Sequence, residues 1–448
     1  MFSKSPIRSS NDRFRHAGAE FRLAMTLYDA GWEAEAEAAC QHAIVKGLTG
    51  IAPQLFLARL FQNQGRLEEA EGALRKAVRH DPVSPQAQHE LAQLVWMRTG
   101  DIIKARAELD AAPPTAMVTS ITVKLLQWVG DDRGAAALAA ARAEHDPSLQ
   151  ILAVRAAIPV DPEGAACRLA QAGSSGNGVA RAKAEIETDL ALGKAIDAAR
   201  RAEILHRLRP NDHYATALLA AAWRLNGDLR HRALYDYDRL VKSYRIDPPR
   251  GWNDLPSYLA DLAAALDDVH RRLTHPLGQS LRNGSQTLRD LRAYAHPAIR
   301  ALFAALDAPI RRHIASLRTE EYWISGAWSV RLNREGFHVD HVHPEGWLSS
   351  ALYVRVPEEL EGQAGWLKFG EPGTPTRPRL GAEHFVKPEP GTLVLFPSYF
   401  WHGTVPFASD LTRLTCAFDI VPRLRTRAGD KTAIDRCPAS KVPIAAHH

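Results

Sequence analysis

The sequence is short of cysteine and of long apolar runs, and each shortage excludes a class of protein. Its four cysteines (Cys40, Cys167, Cys416 and Cys437) are scattered over 448 residues with no Cys-x-x-Cys pair. That spacing excludes a disulfide framework and a zinc ribbon and fits a reducing cytoplasm. No apolar run approaches the roughly 18 residues of a spanning helix. The opening Met1-Phe-Ser-Lys-Ser-Pro-Ile-Arg8 lacks the apolar segment of a secretory signal. Charge of one sign is scarce as well: 56 Lys and Arg against 51 Asp and Glu leave a net +5. Spread over this length, that excess predicts neither a nucleic-acid nor a membrane partner. What is present, 46% apolar and 24% charged residues, is globular in composition, and the length requires more than one core.

The first half repeats. Glycines recur at Gly31, Gly65, Gly100, Gly130, Gly164, Gly193 and Gly227, in steps of 29 to 35 residues. Alanine follows five positions later at Ala36, Ala70, Ala105, Ala135 and Ala198, and prolines such as Pro82, Pro113, Pro147, Pro210 and Pro248 close the units. Glycine permits a tight turn between two helices, a small residue lets them approach, and proline stops the second. In the segment Gly65–Pro82, Leu67, Ala70, Leu74 and Ala77 share one helical face. A period near 34 of this form resembles the tetratricopeptide repeat. Residues 13–245 are therefore expected to form an all-α solenoid.

Residues 246–320 are expected to connect. One helix is predicted from Ser257 to about Thr274, with Leu259, Leu262, Ala265, Leu266 and Val269 inward, and another from His296 to Ser316, opened by Pro297. The stretch His275–Thr287 reads as loop. From Tyr322 the period becomes two. Trp323–Leu332 alternates, and further apolar runs at Leu348–Val356, Gly365–Phe369, Thr392–Phe396 and Arg413–Val421 are separated by Pro and Gly. Strands so spaced predict a β-barrel or jelly roll over 321–424. The basic segment 425–448 has no periodicity and is expected to be a disordered tail.

Candidate chemistry sits at the start of this β region. His338, Asp340, His341 and His343 fall within six positions, His402 follows inside Trp-His-Gly-Thr, and Arg413 comes eleven positions after it. A buried imidazole needs a partner for each ring nitrogen, which a metal can supply. On a strand, His341 and His343 share a face, and His402 is the natural third ligand. His338 and Asp340 form a rival pair with the spacing of a two-His-one-carboxylate iron site, and on a regular strand they face the other way. A buried Arg413 needs an anion, either a substrate carboxylate or a structural partner such as Asp410 or Asp419.

These motifs resemble the 2-oxoglutarate and Fe(II)-dependent oxygenase superfamily. The chain is similar to bacterial proteins in which tetratricopeptide repeats precede such a domain. The matching segments are Gly336–Val354, Phe369-Gly370, Pro388–Pro397, Trp401–Phe407 and Arg413–Asp419. The resemblance implies a multidomain α + β chain whose C-terminal domain is a double-stranded β-helix with flanking helices. It implies His341, His343 and His402 as iron ligands, and Arg413 as the grip on the distal carboxylate of 2-oxoglutarate. His343 stands where related enzymes carry a carboxylate. Ser349, Tyr353 and Trp347 open the adjacent strand; they would line the co-substrate pocket or pack in the core, the latter being the expectation for Trp347. The implied cofactors are Fe(II), 2-oxoglutarate and dioxygen, used in a hydroxylation.

Stacked helical hairpins offer surface suited to a protein or peptide, so such a substrate is expected, with no nucleic-acid or membrane partner. Trimming residues 1–245 is expected to separate recruitment from catalysis. Two other readings are a scaffold with a silent β domain and a three-His metalloenzyme that does not use 2-oxoglutarate.

Overall fold

The computed structural model describes residues 6–172, 178–270, 279–287, 289–317, 321–358 and 360–423. The expected tail at 425–448 lies outside them, as do residues 275–278 of the loop and 271–274 at the end of the connecting helix. The described residues fall into two compact units, one ending at Thr122 and one beginning at Val123.

Helical hairpins fill the first unit: Pro6–Asp29 with Glu33–Val45, Ile51–Asn63 with Leu67–His80, and Pro85–Thr99 with Ile102–Asp110. The turn glycines Gly31, Gly65 and Gly100, with Gly130, Gly193 and Gly227 beyond, all hold φ between 61° and 85°, where a side chain would be strained. Ala36, Ala70, Ala105, Ala135 and Ala198 are fully buried, as close helix approach requires. Gly164 departs from the pattern. It lies inside the helix Pro162–Gln171, where its N–H bonds the capping carboxylate of Asp161, and it makes no turn.

The second unit continues with hairpins through the helix His213–Leu225 and then forms the β domain. Nine strands are described: β1 (Lys242–Arg245), β2 (Leu281–Gln286), β3 (Tyr322–His338), β4 (Leu348–Arg355), β5 (Leu367–Phe369), β6 (His384–Val386), β7 (Thr392–Pro397), β8 (His402–Thr404) and β9 (Arg413–Pro422). They form a six-stranded sheet in the order β1-β7-β4-β9-β3-β2 and a three-stranded sheet β6-β5-β8. Every pairing is antiparallel, which is the expected double-stranded β-helix.

Two strands escape the sequence pattern. β1 falls inside the stretch expected to be repeat, yet pairs with β7 in register Lys242↔Leu395 to Arg245↔Thr392. As an edge strand of Lys-Ser-Tyr-Arg, largely exposed, it has no apolar alternation to betray it. β2 replaces much of the expected loop. Its Asn283-Gly284 reads as a turn but forms a bulge against β3, with Asn283 at φ 50°.

The large sheet buries both faces. Leu352, Leu395, Cys416 and Phe418 on its outer face pack under the helices Leu255–His270 and Pro297–Ser316, through Leu262, Leu266, Leu306 and Ile310. Tyr353, Val394 and Phe396 on its inner face join Leu367 and Phe369 of the small sheet. That inner core does not stop at the β domain. It runs on through Phe400 and Trp401 into Tyr214, Leu218 and Tyr235 of the helical part.

Candidate metal centre

His341 and His402 face each other across an antiparallel bridge, each backbone N–H bonding the other's carbonyl at 2.9 and 3.0 Å. His343 follows two residues on, its N–H bonded to the Ser398 carbonyl at 2.9 Å. β3 ends at His338, so the His-x-His pair lies past the strand predicted for it, on extended backbone that still puts both rings on one side. The three rings stand 4.2 to 5.1 Å apart between centroids. One ligand atom from each lies within 4.8 Å of the others, the one such cluster among the described residues.

Their hydrogen bonds define the chemistry. His341 Nδ1 meets the Val339 carbonyl at 2.8 Å, His402 Nδ1 the Phe400 carbonyl at 2.9 Å, and His343 Nδ1 the Asp419 carboxylate at 2.7 Å. Each acceptor favours the tautomer with its proton on Nδ1, which makes Nε2 the ligand atom. Burial, with the neighbouring imidazoles second, drives the pKa values of His341 and His402 well below the usual range, so both stay neutral. The Nε2 atoms of His341 and His343 lie 3.2 Å apart. Two nitrogens each ~2.1 Å from one ion and at right angles about it lie about 3 Å apart, so a divalent cation fits this arrangement.

Asp419, which the sequence offers only as a structural partner for Arg413, belongs to the site. It is buried, accepts the Ser349 hydroxyl at 2.7 Å and orients His343 from behind. The signal was legible: Asp419 lies six residues after Arg413 on an alternating strand, hence on the same face. Gly346 makes room for the pair, since a Cβ there would lie 2.6 Å from Ser398 Oγ and 3.2 Å from the Asp419 carboxyl carbon. We expect Asp419→Ala to weaken divalent-metal binding by about 10- to 100-fold, read by titrating the apo chain with Co(II).

The rival pair separates. Asp340 turns to Lys368, whose ammonium donates to it at 2.8 Å, and burial raises the carboxyl to about 6. His338 bonds Ser280 Oγ through Nδ1 at 2.8 Å, lines the same cavity as the three rings and is pushed down to about 3, by burial first and Arg413 second. Asp340 is thus held away by Lys368, while His338 lines the cavity but lies outside the three-ring cluster.

The cavity between the sheets measures about 490 Å³ and takes in His338, His341, His343, His402 and Arg413. Arg413 is 2% exposed. Asp410 pairs with Arg334 and Asp419 with His343, so neither neutralises it. Its guanidinium gives one hydrogen bond to the Gly365 carbonyl and lies 5.0 Å over the Tyr353 ring. Arg413 Nε and the Tyr353 hydroxyl are both buried without a partner. A carboxylate would satisfy both, so the residues present fit a diacid as well as a metal. Ser349, expected at the co-substrate, is instead behind His343, bonded to Asp419 and Ser398. Trp347 packs with the outer core, as expected. Trp323 and Trp328 line the same cavity; a bulge between Ile324 and Gly326 keeps these residues, five apart, on one face.

Fold and site together define a helical-repeat region joined to a double-stranded β-helix with a three-His centre. Residues 326–419 match the family model "Putative 2OG-Fe(II) oxygenase", and residues 51–94 match the tetratricopeptide repeat. The chain thus carries a 2OG-Fe(II) oxygenase domain behind tetratricopeptide-like helices. Among solved structures, a Pseudomonas putida prolyl-4-hydroxylase is similar at 17% identity, over 42% of this chain and 96% of its own, with a TM-score of 0.31. HygX from Streptomyces hygroscopicus, with nickel, 2-oxoglutarate and hygromycin B bound, is similar at 16% identity over 43% of this chain and 86% of its own, TM-score 0.30. A tetratricopeptide repeat protein from Parabacteroides merdae covers 58% of this chain and 89% of its own, at 12% identity and TM-score 0.30. No curated relative matches the chain. Among the described residues no helix is long and apolar enough to cross a membrane.

Proposed function

We propose that the chain is a 2-oxoglutarate- and Fe(II)-dependent oxygenase that hydroxylates a protein or peptide. The observation that carries this reading is the buried Arg413, without an anionic partner among the described residues, lining the same cavity as three clustered imidazoles. A metal site alone would not need that cation, and a silent scaffold would need neither.

His341, His343 and His402 would hold the ion from one side, leaving its other positions open. When bound, iron with 2-oxoglutarate and dioxygen supplies an oxidant that puts one oxygen atom into a C–H bond, the second entering succinate as CO₂ leaves. Arg413 grips the far carboxylate, and the Tyr353 hydroxyl adds a second polar contact beside it. Leu367, Phe396, Trp323 and Trp328 give the cavity apolar walls that exclude water, and Glu345 adds a carboxylate to its lining. Asp419 supplies the negative charge that a ligating carboxylate would give, one imidazole removed. The repeats support the choice of a protein substrate, because stacked hairpins present extended surface.

Anaerobic addition of Fe(II) and 2-oxoglutarate should produce a weak visible charge-transfer band, and admitting air should yield succinate. Absence of the band and of succinate would refute the reading. Proteins from cells with and without the chain should differ by one added oxygen atom on the substrate.

A further inference from the structure

We infer that Tyr235, a residue of the helical part, is a positioning residue for the metal ligand His402. The inference rests on the three-His metal reading, though not on 2-oxoglutarate use. His402 keeps its Nδ1 proton by donating to the Phe400 carbonyl at 2.9 Å. Where that carbonyl points depends on the backbone of residues 399 to 401, and Tyr235 holds all three. Its hydroxyl donates to the Tyr399 carbonyl at 2.7 Å and accepts the Trp401 N–H at 3.1 Å. Its ring stacks on Phe400 with centroids 4.3 Å apart and planes 15° from parallel.

Tyr235 is buried, and the elements around it are fixed in turn. The Trp401 indole donates to the Ala217 carbonyl at 3.1 Å, and the Tyr399 hydroxyl to the Leu234 carbonyl at 3.1 Å. The segment that carries His402 thus leans on helical residues that have no place in the strand pattern of the oxygenase domain.

Without the hydroxyl, the Tyr399 carbonyl and Trp401 N–H lose their partner, and the tight turn ahead of His402 can rotate. A Phe400 carbonyl that no longer faces Nδ1 releases the tautomer. His402 then spends part of its time with the proton on Nε2, where it cannot bind metal.

The test is equilibrium titration of the full-length apo chain with Co(II), followed by its visible bands. Tyr235→Phe keeps the ring and removes the hydroxyl, and is expected to weaken Co(II) about tenfold or more. Leu266→Ala, in the core on the far face of the large sheet, serves as a control for general destabilisation. It should lower the melting temperature of the apo chain without moving Co(II) affinity. If Tyr235→Phe binds Co(II) as tightly as the parent, or loses no more than Leu266→Ala does, Tyr235 is only a packing residue and the inference is overturned. A parent chain that binds no Co(II) overturns the metal reading and this inference with it.

Discussion

Arg413→Ala should leave Fe(II) binding intact while raising the 2-oxoglutarate requirement by about 100-fold or more. Truncating one partner of a buried, hydrogen-bonded charge pair costs about 2–5 kcal/mol, and each 1.4 kcal/mol is about tenfold in affinity. Arg413 sits at the severe end of that range because it is 2% exposed and has no carboxylate partner among the described residues. Burial lowers its pKa, a penalty that the bound diacid relieves and the alanine removes, so the variant itself should fold. Arg413→Lys should recover part of the affinity only, since an ammonium cannot present the guanidinium fork. The measurement is succinate formed against 2-oxoglutarate concentration, beside a Co(II) titration. Unchanged half-saturation in Arg413→Ala would remove Arg413 from the co-substrate role.

A chain beginning at Ile246 should fail to fold, whereas one beginning at Ala116 should retain 2-oxoglutarate turnover. The first cut reverses the expectation that residues 1–245 can be trimmed to isolate catalysis. It deletes β1, exposing β7, and strips Tyr214, Leu218 and Tyr235 from the inner core. Losing one large buried side chain costs about 3–5 kcal/mol, and a whole domain holds only about 5–15 kcal/mol. The second cut keeps the helix Ala116–Trp128, whose Trp128 indole donates to the Gln279 carbonyl at 3.0 Å ahead of β2. Circular dichroism melts separate the two: no cooperative transition for the shorter chain, one transition for the longer. A soluble, cooperatively melting chain from Ile246 would show that the helical residues are dispensable. The longer truncation then carries the test of recruitment: it should oxidise 2-oxoglutarate yet lose the protein substrate.

The legible parts of this fold were those whose residues had to repeat. Turn glycines and buried alanines marked the helical hairpins, and alternation marked β3, β4, β7 and β9. The illegible parts were those held by backbone pairing. β1 and β2 are polar, and only their neighbours' free edges make them strands. At the site, the choice between His341/His343 and His338/Asp340 could not be made from spacing. It turns on where the strand ends and on Lys368 drawing Asp340 away, a contact 28 residues distant in sequence.

Sequence by itself determined the inventory: imidazoles in two segments, an arginine entering the last strand, and helices before strands, because composition and period are local properties. Tertiary structure alone decided which nitrogens converge, that Asp419 backs His343, and that Tyr235 braces the turn before His402. Those contacts join residues 76 and more than 160 positions apart, and long-range proximity is created only when the sheets close and the core forms.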